Sequence, residues 1–305
     1  MRAPYPWFGG KSHAAEQVWA ALGDVTSYVE PFCGSAAVLL ARGAPGRVET
    51  INDTDGLLIN AWRAIRWAPE VVAEHADWPI SELDLTARHL WLVEHHAEIR
   101  DRLACDPDYY EPRAAAWWVW GACCWIGSGW CSGKGPWVRD GDRLVRGDAG
   151  RGIHRQLPHM AAGMGIHSSR GGALAEWFGE LAARLGRVRI CCGDWRRVVT
   201  PTVLSPIRCA SVGVLLDPPY PVGEIGEYAG GSASVWPEVC AWAAEHGEEY
   251  RIVLCGYDGT WTPSAGWTTR LLRHSGGYQG AELRERLWCS PLCLDERQGA
   301  LFGTP

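Results

Sequence analysis

Residues 211–216, Ser-Val-Gly-Val-Leu-Leu, form a short apolar run that stops at Asp217-Pro218-Pro219-Tyr220. A run of that length closed by two prolines reads as a buried strand followed by a fixed turn, because a Pro-Pro pair cannot continue a sheet. Open α/β sheets bind their ligands at the C-terminal ends of such strands. The turn would present the Asp217 carboxylate and the Pro218 carbonyl as two acceptors, with Pro219 fixing the corner. Two acceptors can grip an exocyclic amino group and leave its lone pair aimed at an electrophile. Tyr220 then offers a flat face for a base. The plainer reading is a strand-ending turn with a surface tyrosine.

The flanking sequence fits an α/β fold. Ser12 to Leu22 reads as a helix with Ser12 as N-cap, and Val25 to Val29 as a strand. A Gly turn at Glu30-Pro31-Phe32-Cys33-Gly34 leads into an apolar helix over 35–42. A second strand, 48–51, ends at Asn52-Asp53, and a helix over 55–67 follows. Strand, Gly turn, helix, strand, acid is how a nucleotide-binding βαβ unit begins. From about Pro69 the character changes to helical periodicity at 83–103 and 114–120. A stretch rich in Gly, Trp and Arg then runs over 121–172, with a near-repeat of Gly-x-Gly-Ile-His at 150–154 and 163–167. The α/β rhythm returns with strands at 188–192 and 211–216, a helix over 234–246, and strands at 250–255, 267–272 and 284–289. The expected organisation is a sheet domain built from residues 1–68 and 186–305, with residues 69–185 inserted.

Composition narrows the class. A chain of 305 residues that is 47% hydrophobic and 21% charged can bury a substantial core and is not a disordered, collagenous or coiled-coil sequence. It has no apolar run long enough to span a membrane, and its first residues lack the apolar core of a secretory signal. A cytoplasmic protein is therefore expected. The 12 cysteines include no Cys-x-x-Cys pair, so they read as reduced, mostly buried thiols, and no metal site is expected.

Of the 29 basic residues only Lys11 and Lys134 are lysines, and a coding bias toward Arg and Trp accounts for that. A net charge of −6 speaks against indiscriminate polyanion binding. Residues 134–170 nevertheless carry seven basic and three acidic side chains, a basic segment in an acidic protein. Lys134, Arg139, Arg143, Arg146, Arg151 and Arg155 could contact phosphates or a guanine edge, or form an ordinary solvated face. Trp130 and Trp137, set among glycines, are candidates for stacking or wedging at DNA, whereas Trp117, Trp118 and Trp120 fall on a helix and read as core. At the N-terminus, Trp7-Phe8-Gly9-Gly10-Lys11 could present an ammonium and free amides to a carboxylate. Gly34 would let backbone approach a ligand closely. Asp53 could accept from ribose hydroxyls, or cap the following helix.

Taken in order, Trp7–Lys11, Glu30–Gly34, Asn52-Asp53, Asp217–Tyr220 and the late strand at Arg286-Leu287-Trp288 resemble the Dam-type (D12 class, α-group) DNA adenine-N6 methyltransferases. The resemblance implies a Rossmann-like, S-adenosylmethionine-dependent methyltransferase sheet with an inserted target-recognition domain. It implies S-adenosylmethionine as methyl donor, held by Trp7 and Lys11 at its amino-acid end, by Pro31, Phe32 and Gly34 along the turn, and by Asp53 at the ribose. Asp217 would lie between donor and target amine, and a flipped adenine would stack on Tyr220. Double-stranded DNA is the implied partner. Ala36 departs from the family's Gly-x-Gly loop, and Phe8 from a smaller residue. Methylation of cytosine N4 or of an RNA base, or an inactive DNA-binding relative, are the alternatives. No nuclease motif is present, so a stand-alone methylase is expected, within a restriction-modification system or outside one.

Overall fold

The structure, a computed structural model, describes residues 1–7, 9–125, 130–131, 137–141, 143–146, 173–204, 211–219, 235–272 and 285–295. Its contacts divide the chain into two units: Met1–Arg2 with Gly10–Thr54 and Arg187–Pro305, and Ala3–Gly9 with Asp55–Gly186.

The first unit is built on a seven-stranded sheet. Its strands are β1 (Ser27–Glu30), β2 (Val48–Asp53), β5 (Val188–Cys192), β6 (Val212–Leu216), β7 (Arg251–Tyr257), β8 (Thr268–Leu271) and β9 (Glu285–Cys289); β3 and β4 belong to the second unit. The order across the sheet is β5-β2-β1-β6-β7-β9-β8. The first five are parallel, and β9 runs antiparallel to both β7 and β8. This is a Rossmann-like sheet, as the sequence led one to expect. The connections run outward in opposite directions from β1 and β6, so the crevice between the C-terminal ends of these two strands is the topological switch point.

Residue alternation explains the layers. Val212, Val214 and Leu216 of β6 share a face with Ile252 and Leu254 of β7. They pack against Trp236, Val239, Cys240 and Ala243 of helix α8 (Val235–His246) and against a 3-10 helix at Trp195–Val198. Each fully buried aliphatic side chain there contributes about 1.5–3 kcal/mol. On the opposite face, a side chain at Gly213 would meet Val25 at 3.0 Å and come within 3.5 Å of Leu22. Leu22 ends helix α1 (Ala15–Leu22), and the bare backbone of Gly213 admits this close approach.

The second unit is helical: α3 (Gly56–Trp67), α4 (Pro69–Ala76), α5 (Glu82–Cys105), α6 (Pro112–Cys124) and α7 (Ala173–Leu185), with a hairpin of β3 (Trp137–Asp140) and β4 (Arg143–Arg146). The sequence reading placed α3 with the sheet, inside residues 1–68. In the structure α3 groups with the helices because it is buried nearly all round, Leu57, Leu58, Ile59, Ala61, Trp62 and Ile65 included, against α5, α6 and α7. A helix apolar on every side needs neighbours on every side. Trp118 and Trp120 are buried, as expected of core residues, and Trp117 is half-buried.

Two helix starts differ from expectation. Helix α1 begins at Ala15 and not at Ser12. Residues 11–14 form a turn in which the Ala14 N–H donates to the Lys11 carbonyl, so Ser12 caps nothing there. The N-cap of α3 is Asp55, whose carboxylate accepts from Leu57 and Leu58, which leaves Asp53 for other work.

Candidate functional site

At the switch point the chain makes a stiff corner. Glu30 ends β1, and the Pro31 carbonyl accepts from the Asn52 side-chain amide at 3.0 Å. The same amide reaches the Gly193 carbonyl after β5 at 2.9 Å. Asn52 thus ties together the C-terminal ends of three neighbouring strands. Gly34 has φ 45°, the left-handed region open to glycine, and its N–H donates to Asp53 Oδ2 at 3.1 Å. Ala36, two residues on, is also left-handed at φ 48° and fully buried. An L-residue there costs about 1–2 kcal/mol, which is why the corresponding position is suited to glycine.

Ala36 precedes helix α2 (Ala37–Ala41) and has no side-chain oxygen to cap it. Glu30 does so instead. Its Oε1 accepts from the Leu39 N–H at 2.8 Å and from the Tyr28 hydroxyl at 2.6 Å. Burial pushes the Glu30 carboxyl up to about 7, against the pull of these two donors, with Asp217 and Glu49 adding repulsion. A folded-state value above the ordinary 4.5 means the protonated form is favoured in the fold. That contribution is complete below 4.5 and is lost as pH rises through about 7. Relative to Glu30→Gln, which keeps an acceptor oxygen but no charge, the wild type is expected to lose about 3 kcal/mol between pH 4.5 and 8. Urea unfolding of both proteins across that range checks it; parallel curves would refute it.

Beside this corner, Asp217 follows β6, and Lys11 lies at 2.9 Å from its Oδ1. The Lys11 side chain is only 6% exposed, and its ammonium is also 3.8 Å from Oε1 of Glu285, the first residue of β9. Burial disfavours the Lys11 charge, but Asp217, Cys255 and Glu285 outweigh it, and the pKa of the lysine rises above its ordinary value. Burial raises Asp217, opposed by Lys11 and aided by Glu285. Tyr257, at the end of β7, is raised by burial and by the field of Glu285. One buried cation thus lies between two carboxylates, Asp217 after β6 and Glu285 at the start of β9.

Residues 7–112 match the family described as D12 class N6 adenine-specific DNA methyltransferase. The likeness to that family spans this segment, which is less than half of the chain. No curated protein matches it. The match runs from Trp7 through the Glu30–Gly34 corner and Asp53 to the start of α6, and indicates adenine-specific methylation of DNA. Asp217–Tyr220 lie beyond the matched residues.

The sheet unites several residues singled out in the sequence. Lys11 meets Asp217, and Gly34 meets Asp53. Glu30 lies in the electrostatic reach of both Asp217 and Cys33. Pro31 is buried, and the half-buried Phe32 ring packs 6.0 Å from Trp195. Pro218 is buried and Pro219 half-buried, while Tyr220 lies outside the described residues. Trp7 belongs to the other unit, where its ring meets Tyr5 and Trp118.

Of the residues read as DNA contacts, Lys134, Arg151 and Arg155 lie outside the described residues. Trp137 and Arg139 are on β3, and Arg143 and Arg146 on β4, with Trp137 paired to Arg146 across the hairpin. The Trp130 indole N–H donates to the Trp118 carbonyl at 3.0 Å. Its ring lies so close over Gly121 that an added Cβ there would be 1.9 Å away. Trp130 is therefore engaged in packing against α6. Glu285 and Tyr257 were missed in the sequence, and Glu30 was read there only as the start of the Gly turn. The signal for Glu285 was at hand, since it stands immediately before Arg286-Leu287-Trp288. Among the described residues no cluster of metal-ligating side chains occurs, and no helix is long and apolar enough to cross a membrane.

Proposed function

We propose that this methyltransferase transfers a methyl group from S-adenosylmethionine to the N6 amine of an adenine turned out of duplex DNA. The observation that carries this reading is the buried Lys11–Asp217 ion pair at the switch point, where the N-terminal arm and the end of β6 meet although 206 residues separate them.

The residues present fit the donor. A left-handed Gly34 permits close approach at the βα corner, Asp53 stands at the end of the adjacent strand, and the acidic surroundings of Lys11 suit a cationic ligand. Pro31, Phe32, Gly34 and Asp53 would hold it, with Lys11 toward its amino-acid end. When bound, it supplies an electrophilic methyl group on positively charged sulfur.

The protein's own part is orientation and charge. Asp217 accepts one N–H of the target amine and the Pro218 carbonyl the other. The amine is held with its lone pair free, and the positive charge that develops on nitrogen faces a carboxylate. Lys11 fixes the Asp217 carboxylate by holding Oδ1. Tyr220 would stack the extruded base. The basic segment containing Lys134, Arg139, Arg143, Arg146, Arg151 and Arg155, with Trp137, would bind the duplex, and residues 69–185 would supply target recognition. We take the cytoplasm of a bacterial or phage-infected cell as the place where it acts.

Incubating the protein with methyl-labelled donor and unmodified duplex DNA, followed by nucleoside analysis, tests the reading. Label recovered as N6-methyladenine supports it. Label in N4-methylcytosine, or none in any adenine-containing duplex, overturns it.

A further inference from the structure

Lys11 poses an electrostatic problem that Asp217 alone does not solve. A lysine ammonium 2.9 Å from a carboxylate forms a neutral pair. A neutral pair is a poor partner for an amine that becomes positively charged while accepting a group from a cationic sulfur. Glu285 changes the balance. Its Oε1 lies 3.8 Å from the same ammonium, its side chain is 17% exposed, and it reaches the cluster from β9, which pairs with β7 beside it. With Glu285 ionised the three groups carry one net negative charge. The ammonium lies nearer Asp217, with Glu285 as a second carboxylate at 3.8 Å.

We propose that Glu285 is a positioning residue: by sharing Lys11, it leaves Asp217 the negative charge that the transfer step requires. This rests on the methyl-transfer reading above. Glu285 touches neither the target nor the donor in this scheme; it acts through Lys11. Its role belongs to the chemical step and not to DNA binding.

The chain contains only two lysines, so isotope labelling at lysine gives two side-chain signals, and Lys134→Arg identifies which belongs to Lys11. In protein labelled with 13C and 15N at lysine, Glu285→Gln is expected to shift the Lys11 side-chain signal and to speed exchange of its ammonium protons. In single-turnover methylation the same variant is expected to lose about ten- to a hundredfold in rate, with KM for DNA changed by less than about twofold. Glu285→Asp, which keeps the charge on a shorter arm, should recover part of that loss.

An unmoved Lys11 signal in Glu285→Gln overturns the proposal. So does a moved signal with an undiminished rate, or a loss confined to KM. If the wild-type protein methylates no DNA at all, the methyl-transfer reading falls and this role falls with it. An active wild type with an equally active Glu285→Gln variant overturns the role alone.

Discussion

Asp217→Asn is expected to reduce methyl transfer by about a thousandfold or more while leaving the protein folded. The amide has nearly the shape of the carboxylate and keeps an oxygen for the Lys11 ammonium, which lies 2.9 Å from Asp217 Oδ1 and retains Glu285 as counter-ion. What is lost is negative charge at the place where positive charge develops on the target nitrogen. Glu285 cannot replace it, because Glu285 reaches the site only through Lys11. The decisive measurement is single-turnover methylation of unmodified DNA by the variant and the wild type, with urea unfolding of both as a control for folding. Turnover within a tenth of wild type would remove Asp217 from the proposed chemistry.

Lys11→Met should instead be the most damaging change to stability near neutral pH, by about 3–5 kcal/mol. Methionine matches the stem of the lysine but leaves Asp217 and Glu285 as neighbouring acids without their cation. In the wild type the folded-state pKa of Lys11 lies above its ordinary 10.5. The stabilisation it brings is therefore complete below 10.5 and fades only in more alkaline solution. In the variant the direction reverses. Uncompensated carboxyls have folded-state values above their unfolded ones, so stability is greatest where they are protonated and falls as pH rises. Unfolding free energies measured at pH 5 and pH 8 distinguish the two cases. A variant whose deficit is the same at both pH values would show that the cation does not neutralise the cluster.

Much of the scaffold was legible along the chain. The strands at 188–192 and 212–216 and the helices over 56–67, 82–105 and 235–246 announce themselves through apolar runs, apolar periodicity and flanking glycines, all of which act within a few residues. The Glu30–Gly34 and Asp217–Tyr220 corners could be read because Gly and Pro restrict the backbone locally.

Other features were invisible for a common reason: each depends on what lies across space. Ser12 has the chemistry of a cap, yet the turn that seats Lys11 displaces the helix start. Ala36 stands left-handed before α2 with no oxygen to cap it, and Glu30, from the preceding strand, caps α2 in its place. Trp130 has glycine neighbours that suggest a free ring, but a gap over Gly121 on α6 takes it up.

Local chemistry thus wrote the order of strands, helices and corners into the chain, and with it the class of sheet. Which partners meet was settled by folding. The pairing of Lys11 with Asp217 and Glu285, and the tie from Asn52 to two distant carbonyls, join segments that share no local signal. The strength of those contacts comes from burial, which removes the water that would otherwise screen them, and burial is a property of the packed molecule rather than of any segment.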